Sequence, residues 1–337
     1  MNRPGEWSRR RFLLQTAKFS ALAYFGSSQA RSSVIEASSP DPQAHHVLML
    51  GDWGTVSDLD QQIAVALAMK QWCSDYGIKP DALLMLGDNF YGEMPGGVNS
   101  DRWLKQFEQM YPSSSFPGPV YPVLGNHDYE RLRGNKVETQ LAYTQRSSRW
   151  SMPHRWYTVQ VPKQNPLLTI FCLDSNLPGS KGLDPWPWSF VMTKEEHEQQ
   201  NKWLEEQLNS PRSTPFLAVA AHHPLYSNGI HRDNRALIEE WDLLLRHHQV
   251  DLYLSGHDHD LQHLEFHGHP TSFVVSGGGG ARLAGWNTQP TPRGWGHRVL
   301  GFTDLELSHE RLTIRHIAKN AATLYEFSKN RADAPHT

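Results

Sequence analysis

Five segments of this sequence end alike: a short apolar run, then small residues, then Asp, Asn or His. They are VLMLGD closing at Asp52, LLMLGD at Asp88, YPVLGN at Asn126, LAVAAH at His222 and DLYLSGH at His257. Short apolar runs bounded by glycine read as strands. Amphipathic stretches over 59–76, 101–110, 194–208 and 235–247 alternate with them and predict helices, the βαβ rhythm of an α/β domain. In such folds the loops beyond the carboxyl ends of the strands meet in one crevice. Five ends of one kind therefore predict one shared site. Strands are also expected near 157–161 and 167–173. Near 271–275, 299–307, 312–317 and 323–327, strands without long helices between them predict a second, more antiparallel sheet.

The side chains at these ends suit metal ions. Asp52 and Asp88 offer carboxylates, Asn126 an amide, and His222, His257 and His259 imidazoles. That mixture of oxygen and nitrogen fits borderline transition ions. In an extended loop, His257 and His259 point the same way. Taken singly, a Gly-Asp after a strand is a turn or a cap, and a lone histidine is a surface or core residue. Taken together, that reading needs five independent coincidences.

In order and spacing, GDWG (51–54), GDNFY (87–91), GNHD (125–128), AHHP (221–224) and GHDHD (256–260) resemble the signature blocks of the metallophosphoesterase superfamily. Tyr91, three residues after Asp88, narrows the resemblance to purple acid phosphatases of the small, tartrate-resistant type, where a tyrosine phenolate binds ferric iron. A phenol, with a pKa of about 10, needs a strong Lewis acid to ionise near neutrality. Arg149, Trp150, Pro153, Tyr157 and the run Trp203-Leu204-Glu205 fit the same pattern as structural residues.

The resemblance implies a fold, an α/β metallophosphoesterase sandwich of two mixed β-sheets flanked by α-helices. It implies an Fe(III) site of Asp52, Asp88, Tyr91 and His259, and a divalent site (Fe, Zn or Mn) of Asp88, Asn126, His222 and His257, with Asp88 bridging. The implied activity is acid phosphatase: hydrolysis of small phosphate monoesters by in-line attack of a hydroxide bound at the binuclear centre, without a covalent enzyme intermediate. His127 matches a histidine that contacts the phosphate together with Asn126, and His231 matches one that helps to protonate the leaving group. The small relatives carry an acidic residue just before that second histidine, whereas this chain has Ile230.

A phosphodiesterase or nucleotide pyrophosphatase on the same metal core is the first alternative, because these blocks leave the ester substituents to loops such as 92–100, 178–190 and 282–297. A non-catalytic scaffold is the second, and the complete ligand set argues against it. A serine hydrolase would need a GxSxG elbow, which this sequence lacks. Other features have plainer readings. Gly277 to Gly280 suggest a tight turn at the site rim. His223 is expected to point away from His222, supporting the site from behind at most. His267 and His269 are expected on an exposed turn. Trp186, Trp188, Trp286 and Trp295 serve either as aromatic lining or, more commonly, as loop anchors.

The first thirty residues differ in character. Arg9, Arg10 and Arg11 precede Phe12-Leu13-Leu14, a weakly apolar run and Ser28-Gln29-Ala30, the pattern of a twin-arginine signal peptide read by the export machinery. The apolar run is interrupted by Gln15 and Lys18, short of the ~20 residues of a stable membrane anchor. The expected plan is a signal over 1–30, a flexible leader over 31–44 and one catalytic domain over 45–330, periplasmic or secreted. Removing residues 1–30 takes five basic residues from 32 and one acid from 35, leaving 27 against 34 and a net charge of −7. Nucleic acid is therefore not an expected partner. The only cysteines, Cys73 and Cys172, read as buried thiols, with one bridge as the alternative.

Overall fold

The computed structural model describes residues 38–130, 136–178, 191–285 and 293–331. Each apolar run forms a strand: β1 (His45–Leu50), β2 (Ala82–Met85), β3 (Val120–Pro122), β4 (Tyr157–Val161), β5 (Leu168–Cys172), β6 (Phe216–Ala220), β7 (Leu252–Ser255), β8 (Leu261–Leu264), β9 (Ser272–Ser276), β10 (Trp295–His297), β11 (Gly301–Leu307), β12 (Arg311–Ala318) and β13 (Thr323–Asn330). Two mixed sheets result, ordered β13-β12-β11-β1-β2-β3 and β10-β8-β9-β7-β6-β5-β4. Within them β1, β2 and β3 run parallel, as do β5, β6 and β7. The carboxyl ends of β1, β2, β3, β6 and β7 carry the five repeated blocks.

Strand alternation sorts the core. Leu168, Ile170, Ala218, Ala220, Leu252 and Leu254 join Val47, Met49 and Leu84 of the first sheet in one apolar cluster. Their neighbours Phe171, Leu217, Val219 and Tyr253 face the other way, against Leu204, Leu208 and Trp241. A period of two on a sheet covered on both faces does this without any polar break. The edge strand β4 instead alternates buried and exposed residues.

Helix α1 (Leu59–Tyr76) has the expected bounds and stops at Gly77, whose φ of 69° gives the left-handed cap. After the short α2 (Val137–Tyr143), α3 (Lys194–Asn209) starts with a capping box: the Thr193 hydroxyl accepts from Glu196 N, and the Glu196 carboxylate accepts from Thr193 N. The expected helices at 101–110 and 235–247 are less regular. The first is a π-helical turn, Trp103–Glu108; the second passes through another, Ile238–Asp242. Each wide turn carries buried aromatics, Trp103 and Phe107 in one and Trp241 in the other.

The C-terminal strands do not build a sheet of their own. β11 pairs antiparallel with β1, so β11, β12 and β13 complete the first sheet, while β9 enters the second beside β7. Adjacency in sequence suggested a separate sheet, but the apolar edge of β1 needed a partner that the βαβ rhythm had not supplied. Cys73 and Cys172 are free and buried, and burial pushes both thiols up to about 12, which leaves them inert. The export signal read at residues 1–30 lies outside the described residues. Among the described residues no helix is long and apolar enough to cross a membrane.

A polar cluster crosses the outer strands of the first sheet. Arg315, 1% exposed, donates to Glu306 (2.8 Å) and Glu326 (2.7 Å). Asp304 pairs with His46 Nδ1 at 2.9 Å and accepts from Trp72 Nε1 at 3.3 Å, and Asp41 N donates to Glu306. Burial alone would lower the His46 pKa, but the Asp304 hydrogen bond and charge outweigh it and hold His46 above its ordinary value. A raised folded value means that the stability contributed by protonated His46 is full below about pH 6.5 and is lost as pH rises through the folded value. Urea titrations of the wild type and His46→Gln should therefore converge as pH rises above neutrality. A gap that widens with pH would refute this.

Candidate metal centre

The loops leaving β1, β2, β3, β6 and β7 bring all seven expected ligand side chains together. Tyr91 Oη lies 3.2 Å from Asp52 Oδ1 and 3.2 Å from His259 Nε2, and His259 Nε2 is 3.4 Å from Asp52 Oδ1. Asn126 Oδ1 lies 3.1 Å from both His222 Nε2 and His257 Nδ1; those two nitrogens are 3.3 Å apart, and His222 Nε2 is 3.4 Å from Asp88 Oδ1. Donors bound to one ion at about 2.0–2.2 Å sit roughly 3–3.5 Å from one another. The two groups meet through Asp88, which also forms a close cluster with Asp52 and His259.

Backbone geometry makes these approaches possible. Asp52, Asp88 and His257 have φ of 61°, 51° and 67°, which turns each side chain sharply off its strand end. Gly87, at φ 87°, lies so near His222 that an added Cβ would meet the imidazole at 2.5–2.7 Å. The glycine before Asp88 is thus required by a histidine more than a hundred residues later.

Hydrogen bonds aim the imidazoles. His222 Nδ1 lies 2.8 Å from the carbonyl of Leu86, and His259 Nδ1 lies 2.6 Å from that of Arg282. A carbonyl accepts only, so each Nδ1 carries a proton and each Nε2 is aimed at the carboxylates, where either a proton or a metal ion can stand between them. Electrostatics agree. Burial would depress both rings, yet Asp88 and Asp52 push His222 up to about 9, and the Asp52 hydrogen bond and charge push His259 up to about 9. The pocket attracts positive charge. Burial, with Asp88 and Asp52 beside it, holds the Tyr91 phenol well above its ordinary value, so a phenolate there needs a cation close by. On the chemistry of these donors, the site fits a pair of transition-metal ions.

His127 packs against Tyr91 with ring centroids 4.2 Å apart and the planes tilted by 37°; its backbone N–H donates to Asp88 Oδ1 and its Nδ1 meets Glu130 at 2.6 Å. His231 lies over His257, centroids 4.1 Å apart. His223 bonds Ser175 at 2.7 Å through Nδ1, as a support from behind would, but its ring does not leave the site: it packs 4.4 Å from His257 with a buried, unpartnered Nε2. His269 is buried and bonds Asp242 at 3.0 Å rather than lying on an exposed turn, because Phe266 and Gly268 carry the turn and fold it inward. Gly277 to Gly280 pack under the first block, and their bonds reach across to other segments, Gly279 N donating to Gly51 O and Gly277 N to Asp260 O, rather than closing the expected tight turn. Trp186, Trp188 and Trp286 lie outside the described residues; Trp295 stacks on Tyr325 at 4.6 Å as an anchor.

Several supports were missed from sequence. Arg102 donates to the carbonyls of Gly54, Tyr91 and Glu93 and so ties the first two blocks together. Glu130, Ser175 and Asp258 hold His127, His223 and His231. Only Asp258 had a signal: standing between His257 and His259, it must point the opposite way.

The model of the calcineurin-like phosphoesterase family matches residues 42–261, well over half of the chain. The chain belongs to that family. It is 29% identical over 306 residues to tartrate-resistant acid phosphatase type 5 of Rattus norvegicus, covering 85% of this chain and 90% of the rat protein. It is 30% identical to purple acid phosphatase 17 of Arabidopsis thaliana, covering 69% and 67%. Among solved structures, GAP50, the anchor in the inner membrane complex of Plasmodium, superposes with a TM-score of 0.71 at 22% identity over 87% of this chain and 95% of that one. The purple acid phosphatase PPD1 of yellow lupin seeds does so with a TM-score of 0.63 at 18% identity, over 86% and 54%. These two likenesses bear on the fold alone. For this metallophosphoesterase, function rests on its own site and on the relatives of higher identity.

Proposed function

We propose that this chain is an acid phosphatase that hydrolyses small phosphate monoesters, with one cation held by Asp52, Asp88, Tyr91 and His259 and a second by Asp88, Asn126, His222 and His257. The observation that carries it is the aimed convergence of these seven side chains, with His222 and His259 held by backbone carbonyls so that each Nε2 faces a carboxylate. A ferric ion beside Tyr91 and a divalent ion beside Asn126 would supply Lewis acidity, offsetting phosphate charge and acidifying bound water. Asn126, whose Oδ1 faces both imidazoles, keeps its amide N–H groups to donate to a phosphate oxygen. His127, braced by Glu130, supplies a further donor. His231 stands to protonate the departing oxygen.

The scaffold reading is disfavoured because no ligand position is lost. Export by the twin-arginine route to the periplasm or beyond is part of the proposal and rests on Arg9, Arg10 and Phe12 to Leu14.

A visible spectrum of purified protein tests the Tyr91 assignment. A phenolate-to-ferric band, purple in colour, is expected in the wild type and absent in Tyr91→Phe, with iron still bound. A colourless, iron-free protein that hydrolyses phosphate esters would refute the ferric assignment, and a protein that hydrolyses none would refute the function.

A further inference from the structure

The sequence leaves His231 without an acidic neighbour, since Ile230 precedes it. The fold supplies one from elsewhere. Asp258 reaches from the loop after β7 and places Oδ1 2.7 Å from His231 Nδ1 and 3.3 Å from the His231 backbone N–H. Its other oxygen accepts from the Ser227 hydroxyl, which in turn accepts from Gly229 N at 2.8 Å and Gln262 Nε2 at 2.9 Å. Gly229 lies directly against the carboxyl group, where any Cβ would collide with Asp258. The carboxyl is wholly buried, whereas the His231 side chain is 41% exposed.

We propose that Asp258 is the positioning residue for His231, holding its Nδ1–H so that Nε2 faces the leaving group. A carboxylate with both oxygens engaged fixes the ring plane and the tautomer together. Ring contact with His257 then fixes where Nε2 points relative to the phosphate. As the P–O bond breaks, the Nε2 proton passes to the departing oxygen to give the alcohol; His231 becomes neutral, retaining Nδ1–H on Asp258, and regains its proton from water. An acidic residue just before His231 is unnecessary in this arrangement. Asp258 touches neither substrate nor reacting atoms and acts only through His231. The inference rests on the phosphatase reading above.

Leaving-group dependence tests it. Protonation matters greatly for an alkoxide and little for nitrophenolate, which leaves unaided; positioned acid catalysis is worth about 10²–10⁴-fold. Asp258→Asn is expected to lower kcat for an alkyl phosphate about 100-fold and for 4-nitrophenyl phosphate less than about 5-fold, with KM little changed. In a His231→Ala background, Asp258→Asn should add nothing for either ester. Equal losses on the two esters, or additive losses in the double variant, would overturn the proposal while leaving the phosphatase reading intact. A wild type active on neither ester overturns both. Should Asp258→Asn fail to fold, Ser227→Ala, which releases the other carboxylate oxygen, is expected to show the same selectivity at smaller size. Equal losses there also overturn it.

Discussion

Asp88→Asn is expected to fold normally yet lose at least about 10³-fold in kcat, or roughly 4 kcal/mol of transition-state stabilisation, on every phosphate ester. Folding should survive because asparagine tolerates the left-handed backbone that Asp88 adopts at φ 51°, and its amide oxygen can still accept from His127 N. What disappears is charge. The Asp88 carboxyl is fully buried, and although burial works against ionisation, His222 and His127 hold it well below the usual carboxylate range. It lies 3.4 Å from His222 Nε2 and clusters with Asp52 and His259, so on the proposed ligand sets its anion would bridge two cations. Elemental analysis should find metal content reduced by about half or more. Activity within tenfold of the wild type at full metal content would sink the bridging role.

The second large effect concerns stability. Arg315→Met should destabilise the protein by about 3–5 kcal/mol, because it strands Glu306 in a buried setting without its guanidinium partner. None of the residues in that cluster belongs to the metal-ligand set. The variant should therefore retain wild-type kcat at low temperature while its urea midpoint falls with an unchanged slope. A loss below about 1 kcal/mol would show that water reaches Glu306 and relieves it.

What was legible in the sequence, and what was not, divides along physical lines. A strand buried on both faces writes itself as an apolar run, and the candidate ligand at its end follows a small residue; hence β1, β2, β6 and β7 and their Asp and His residues were readable in place. The antiparallel docking of β11 on β1 was not, because pairing over about 250 residues leaves no local mark. The two π-helical turns were hidden for a similar reason: their apolar residues keep a helical look while the backbone widens around buried aromatics. His269 was misjudged because Gly268 and Pro270 advertise a turn, yet say nothing of the Asp242 side chain waiting beneath it. Arg102 and Ser175 act through contacts with blocks distant in sequence, so residue type alone gave them no distinction.

The two sheets contribute different chemistry to the site. The first brings oxygen donors, from Asp52, Asp88, Tyr91 and Asn126; the second brings nitrogen donors, from His222, His257 and His259. A half-formed chain thus presents either an acidic oxygen patch or a cluster of imidazoles, and neither alone offers the mixed donor set proposed for each ion. On the proposed ligand sets, high affinity would arise only when the sandwich closes, and bound metal would then span the seam between the sheets like a rivet. Metal capture would, in that sense, be an inspection of the protein's own assembly.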